Sequence, residues 1–205
     1  MREKTFRFVH ILYVLLITNI LSILYLLMGL FSITLVPVIF TNIKFSIMLF
    51  NDEIDRYSGV LKIFNSRIKM YFIENKKSTL LTGFYALTLV VAMLMLRRID
   101  LPVASVLNYF FAYLYIVIAI YWGYYSLYII VKENPIKYID ALAIMFMKPK
   151  KLLTTIGAFI LFMTLSIFRK EFLVILAIAV VSAIFVKINR STVETVKLVR
   201  YESSK

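Results

Sequence analysis

The chain has 205 residues, 62% of them apolar or aromatic, and its mean hydropathy is +0.88. Ordinary globular proteins use about 45–50% apolar residues, so this composition excludes a soluble domain and predicts an integral membrane protein. The net charge of +13 does not indicate nucleic-acid binding, because the basic residues lie between apolar runs, where topology and anionic headgroups explain them. With no cysteine, the chain has no disulfide, thiolate nucleophile or Cys-ligated metal.

The first apolar stretch covers residues 8–50, and Lys44 is its single charged residue. A straight helix of this length would measure about 64 Å, roughly twice the hydrocarbon thickness of a bilayer, so the stretch must turn. Pro37 is the predicted turn, because it lacks an N–H and disfavours helix geometry in the residue before it. The stretch therefore divides into a span over 8–31 and a short arm over 38–50. The arm is a thinned span, a re-entrant piece or an interfacial helix.

The basic start of the chain resembles a signal peptide. The apolar run after it is too long and lacks a small-residue cleavage site, so we expect a retained first span. Further apolar segments cover residues 78–96, 105–131, 152–168 and 172–186. The sequence thus predicts an all-α, polytopic transmembrane helical bundle of five or six spans, forming one domain over residues 1–205.

Residues 56–74 carry apolar side chains at three- and four-residue spacing with basic residues between them, which predicts an amphipathic helix on the cytoplasmic side. Either it lies in the headgroup layer or its apolar face packs on the other helices.

The span over 105–131 is rich in tyrosine. These rings either form an interfacial belt and pack between helices, or stack on a ligand.

The distribution of lysine and arginine predicts the orientation. If all six segments cross, the N-terminus, the connections 51–77 and 132–151 and the tail share one side with 19 Lys and Arg residues, against 4 on the other. If the short arm does not cross, the split is 17 against 7. Cytoplasmic loops carry the excess of Lys and Arg, so both arrangements place the C-terminus in the cytoplasm, and the first places the N-terminus there as well.

Few residues in the sequence indicate a functional site. Asn19, Asn42 and Asn108 lie at or within spans, where they either form interhelical hydrogen bonds or contact a ligand. Lys44 either extends its stem to the cytoplasmic surface or is a buried functional lysine. The one histidine, His10, has no evident Asp or Cys partner, and no catalytic, phosphate-binding or metal motif is present. We therefore expect no enzyme activity, no cofactor and no metal.

Three stretches resemble the YesL family, small bacterial membrane proteins with a domain of unknown function. They are the end of the first span with its turn (residues 24–37), residues 64–72, and residues 140–149. Val36 stands where the family has a glycine. Because the family's genes often accompany carbohydrate-uptake systems, the resemblance implies an accessory role beside a sugar transporter. It supplies no catalytic or binding residue.

Three functions follow as hypotheses. The chain is an accessory or subunit of a solute uptake system, with ABC-type transporter subunits or a second copy of itself as partners. Alternatively, it captures a small ligand within its own bundle, or it is a structural or immunity-type protein that acts through lipid and partner contacts. In each case we expect membrane lipid, and no nucleic acid, as a partner.

Overall fold

A computed structural model describes residues 2–29, 33–51, 53–54, 59–133, 136–168 and 177–195. Within those residues every regular element is a helix, which confirms the all-α prediction. The helices are α1 Arg2–Met28, α2 Leu35–Phe50, α3 Val60–Glu74, α4 Lys76–Leu96, α5 Pro102–Lys132, α6 Tyr138–Met147, α7 Pro149–Phe168 and α8 Ala177–Thr195.

In the described part of the chain, three helices are long and apolar enough to cross a membrane: α1 over Phe6–Met28, α4 and α5. Much of their surface faces outward with large apolar side chains, such as those of Phe84, Tyr109 and Phe110. A water-soluble helix would place polar residues on that surface, whereas lipid accepts apolar ones. The protein is therefore a membrane-embedded helical bundle.

The short helix α2 is the centre of this bundle. It contacts α1, α3, α4, α5 and α8. Of its 16 residues, 12 are buried, so it is enclosed on nearly every side. An apolar run of this length is typical of a buried core helix. The arm over residues 38–50, whose role the sequence left open, is thus the element around which the others pack.

The turn between α1 and α2 precedes Pro37, which lies in the first turn of α2. The Oγ1 of Thr34 donates to the carbonyl of Tyr25 at 2.6 Å and so ties the start of α2 to the last turn of α1. A Cβ atom at Gly29 would overlap the Thr34 hydroxyl, so this close approach requires glycine. Proline is well tolerated in a first helical turn, because the N–H that it lacks would have no intrahelical partner there.

Helices α1, α2, α5, α7 and α8 bring one end each to a common place, which we call the basic end. The side-chain hydrogen bonds formed there include His10 Nε2 to Ile54 O (2.9 Å), Arg190 Nη1 to Asn51 Oδ1 (2.9 Å), Lys132 Nζ to Glu194 O (2.8 Å) and Lys151 Nζ to Ser191 Oγ (2.5 Å). The chain leaves this end along α1 and α7 and returns to it along α2, α5 and α8.

Helices α4 and α5 form a long hairpin, and a hydrogen bond of 3.1 Å from Trp122 Nε1 to Thr82 Oγ1 joins them. Since α5 has 31 residues, its start lies about 46 Å from its end at Lys132. Residues 97–101, which connect the two helices, therefore lie far from the basic end. We call them the hairpin tip.

The predicted amphipathic segment contains α3, and residues 56–58 of that segment lie outside the described residues. The apolar face of α3 packs on α1 and α2, since the Phe64 ring lies 6.1 Å from Tyr25 and 5.6 Å from Phe45 between centroids.

The predicted last span covers 172–186, of which 172–176 lies outside the described residues. Helix α8 continues nine residues beyond the predicted end at Val186.

Candidate functional site

A chain of buried polar groups joins α1 to α2. Asn42 Nδ2 donates to Ser22 Oγ at 2.7 Å and to the carbonyl of Val38 at 2.9 Å. Ser22 Oγ in turn donates to the carbonyl of Thr18 at 2.6 Å. Asn42 and Ser22 are both almost completely buried. Buried polar groups of this kind must be hydrogen-bonded, and here the bonds fix the register of the two helices.

Asn19, one residue after Thr18, holds the start of α8. Its Oδ1 accepts hydrogen bonds from the backbone N–H of Ile178 at 2.8 Å and of Ala179 at 3.3 Å. The first N–H groups of a helix have no intrahelical partner, so an oxygen placed there caps the helix. Asn19 and Asn42 therefore meet at one junction of α1, α2 and α8, where each contributes to helix packing.

A second buried junction joins α5, α7 and α8, and sequence reasoning missed it. The Tyr124 hydroxyl donates to Asn189 Oδ1 at 2.5 Å. The Asn189 Nδ2 donates to Thr155 Oγ1 at 2.9 Å and to the carbonyl of Phe185 at 3.0 Å. Asn189 follows the predicted last span and was taken as part of the tail. The spacing of Val186, Asn189 and Val193 was the available signal, since such positions share one face of a helix.

The tyrosine-rich part of α5 packs inside the bundle. Tyr125 contacts Phe40 of α2 at 6.1 Å and stacks on Tyr138 of α6 at 5.2 Å between ring centroids, with 20° between the planes. Phe40 also contacts Tyr71 of α3 at 5.0 Å. These ring contacts join the four helices α2, α3, α5 and α6.

The cavity between α1, α2 and α8 is very small. Its volume is about 10 Å³, and its walls include the polar side chains of Thr18, Asn42 and Ser46. This is at the lower limit of the space that one water molecule needs. The junction that Asn19 and Asn42 form has no room for a metabolite.

Lys44 and Asn108 lie away from this junction and from each other. Lys44 is half-buried on α2. Asn108 lies on the second turn of α5, near the hairpin tip, where its Oδ1 is buried and has no hydrogen-bond partner among the described residues. The four polar residues singled out from the sequence therefore form one junction, of Asn19 with Asn42, and two separate positions.

An open cleft lies between α4 and α5 at the hairpin tip. Its volume is about 340 Å³. Its lining residues are Leu96, Arg97, Arg98, Ile99, Asp100, Ala104, Ser105 and Asn108. The Arg97, Arg98 and Asp100 side chains are exposed, whereas Ala104 is buried beneath them. The cleft thus combines two guanidinium groups, a carboxylate, a hydroxyl and an amide with the apolar side chains of Leu96, Ile99 and Ala104.

Among the residues with described positions, no three His, Asp or Glu side chains lie close enough together to hold a metal ion. The hairpin-tip cleft is consequently the candidate site for a ligand, and the two buried junctions are candidates for packing. Comparison with protein-family models, with curated proteins and with solved structures found no match to this chain.

Proposed function

We propose that the chain is a multi-pass protein of the cell membrane that acts without catalysis, as an accessory or subunit of a solute uptake system. The resemblance to the YesL family suggests carbohydrate as the solute. The observation that supports this proposal best is the contrast between the interior and the surface of the bundle. Buried amides such as Asn42 and Asn189 bond to neighbouring helices, while α4 and α5 present long apolar surfaces outward. Such surfaces suit contact with lipid and with the helices of a partner.

Capture of a small ligand inside the bundle is the weaker alternative. The cavity at the α1, α2 and α8 junction holds about 10 Å³, whereas ligand pockets usually measure about 300–1,000 Å³. Partner binding needs no such cavity. We therefore propose ABC-type transporter subunits, or a second copy of this chain, as the partners, and no nucleic acid.

Six crossings are the proposed topology, with both termini in the cytoplasm. Two observations support it. The alternating directions of the helices return the chain to the basic end after α2, α5 and α8, and the basic residues are concentrated in the same connections. The basic end is then cytoplasmic, and the hairpin tip faces the opposite side.

The topology can be tested by cysteine labelling, because the chain has no natural cysteine. In intact cells a membrane-impermeant maleimide should label Ile99→Cys at the hairpin tip but not Lys137→Cys near the basic end. In opened cells both should react. The reverse pattern in intact cells would refute the orientation, and a phosphatase fusion at the N-terminus that is active outside would refute the sixth crossing.

The accessory role can be tested by affinity purification in a mild detergent, with a tagged membrane protein of similar size as the control. We expect subunits of a solute transporter to copurify with the tagged chain and not with the control. Recovery of the chain alone, as a monomer, would count against the proposal, whereas recovery of a stable homo-oligomer would identify a second copy as the partner. Strong thermal stabilisation of the purified chain by one metabolite would instead support ligand capture.

A further inference from the structure

The hairpin-tip cleft lies at the depth of lipid headgroups. Helix α4 has 21 residues and is therefore about 31 Å long, which matches the hydrocarbon thickness of about 30 Å. Lys76 and Lys77 begin this helix and Arg97 and Arg98 follow its end, so one basic pair marks each boundary of the apolar core. The cleft between α4 and α5 thus opens where the phosphate groups of one leaflet lie.

The charges of the cleft favour an anion. Arg97 and Arg98 are exposed at its rim, and Asp100 is the one acidic side chain that lines it. Guanidinium groups are planar and present several N–H donors, which suits the bidentate recognition of a phosphate. The start of α5 adds to this attraction, because its first turn contains no acidic residue and its N-cap, Leu101, provides no side-chain oxygen.

The wall that α5 contributes favours a ligand with hydroxyl groups. Ser105 and Asn108 are three residues apart, so they share one face of the helix, and both line the cleft. The Asn108 Oδ1 is an acceptor with no partner in the described part of the chain. An acceptor that is buried without a donor costs free energy. The phosphodiester group of a lipid has no proton to offer it at neutral pH, whereas an alcohol group of the headgroup does.

We propose that the hairpin-tip cleft is a binding site for an anionic phospholipid whose phosphodiester carries a hydroxylated headgroup, as in phosphatidylglycerol. Arg97 and Arg98 bind the phosphodiester, and Asn108 accepts a hydrogen bond from a headgroup hydroxyl. The acyl chains lie along the exposed apolar surface of the hairpin, which includes Val103 and Val106. This inference requires that the hairpin be embedded in a bilayer, and it does not depend on the role in solute uptake.

The test measures lipid retention by the purified full chain. Native mass spectrometry from a zwitterionic detergent would count the phosphatidylglycerol molecules bound to the wild type, to an R97Q/R98Q variant and to a K76Q/K77Q variant. The two variants remove the same charge from opposite ends of one helix. We expect about tenfold weaker binding to R97Q/R98Q and unchanged binding to K76Q/K77Q, since the loss of charged hydrogen bonds has roughly this effect. Equal losses in both variants would indicate diffuse electrostatic attraction and overturn the proposal.

Two further arms separate the lipid from other anions. Asn108→Leu should weaken the binding of phosphatidylglycerol severalfold and leave the binding of phosphatidylethanol, a phosphodiester without a headgroup hydroxyl, unchanged. An equal effect on both lipids would show that Asn108 is not part of the site.

Inorganic phosphate at millimolar concentration should not displace the lipid. Displacement by phosphate alone would show an anion site without lipid selectivity and would overturn the assignment. Melting curves of all variants, which change exposed residues or one polar side chain, check that each is folded.

Discussion

The amide oxygen of Asn19 caps α8, which begins at Ala177, by accepting a hydrogen bond of 2.8 Å from the backbone N–H of Ile178, 159 residues later in the chain. Asn19 is completely buried, and it lies in the middle of α1. In an environment without water, the first N–H groups of α8 need a partner from the protein itself. The start of α8 is therefore positioned by α1.

Replacing Asn19 by alanine should destabilise the bundle by about 1 kcal/mol, the usual effect of removing a helix cap. Thermal unfolding in detergent would measure this as a lower Tm. The neighbouring Ile20→Ala is the matched control, because Ile20 is 39% exposed and shortening it removes no hydrogen bond. If the two variants melt at the same temperature, the cap has no energetic role.

Replacing Asn189 by leucine should also destabilise the bundle, by about 1 kcal/mol. The substitution keeps the approximate volume, but it leaves the Tyr124 hydroxyl without its acceptor and removes the donor to Thr155 Oγ1, which keeps its own bond to the carbonyl of Lys151. Interhelical hydrogen bonds in membranes have about this value. Tyr124→Phe should lower the stability less in the Asn189→Leu variant than in the wild type, because in that variant the hydroxyl has already lost its acceptor. Additive losses of stability in this double-mutant cycle would contradict a direct bond between the two side chains.

Much of the architecture could be predicted because it depends on local patterns. Apolar runs long enough to cross a bilayer predicted the helices that include α4 and α5, and the spacing of apolar residues predicted α3. In each case a single segment carries its own periodicity, and the length of the run compares directly with the thickness of the hydrocarbon.

The central position of α2 could not be predicted, because it depends on which helices surround it. A short apolar run has the same sequence pattern whether it faces lipid or is enclosed by other helices. The partners of Asn19 and Asn189 were equally inaccessible, since their hydrogen bonds join segments far apart in the chain, and an asparagine alone does not indicate its partner. The cleft depends on how the end of α4 and the start of α5 are placed relative to each other, and no local sequence pattern predicts that placement.

Alkaline pH should destabilise the fold through Tyr71, which lies on α3, outside the three long apolar helices. Burial raises the pKa of the Tyr71 hydroxyl above its ordinary value of 10.0, Arg67 opposes this rise, and Glu74 adds to it. Below about pH 10 the hydroxyl is protonated in both states, so its contribution to stability is constant. As the pH rises further, the Tyr71 hydroxyl ionises in the unfolded chain before it ionises in the folded protein. The free energy of unfolding therefore falls, until the pH exceeds the pKa of Tyr71 in the folded protein.

The measurement is the Tm of the wild type and of Tyr71→Phe at neutral pH and above about pH 10. The difference should move in favour of the phenylalanine variant as the pH rises, because that variant cannot ionise. Ile73→Val serves as the control, since Ile73 is exposed on the same helix and cannot ionise, so its Tm difference from the wild type should not change with pH. A pH-independent difference between wild type and Tyr71→Phe would contradict the effect of burial.

Gly123 allows α5 and α8 to approach closely, so a larger residue there should separate them. A Cβ atom at Gly123 would lie 2.9 Å from the Cζ of Phe185, whose ring is buried and packs edge-on against Tyr124 at 5.2 Å between centroids. Gly123→Ala should therefore destabilise the bundle by about 1–3 kcal/mol through overpacking, although alanine is the better helix former. Gly157→Ala is the control, because a Cβ there meets no atom within 4 Å, and it should be neutral or stabilising. Phe185→Leu should relieve the overlap and restore part of the Tm of Gly123→Ala. If Phe185→Leu lowers that Tm as much as it lowers the wild type's, the two residues are not in contact.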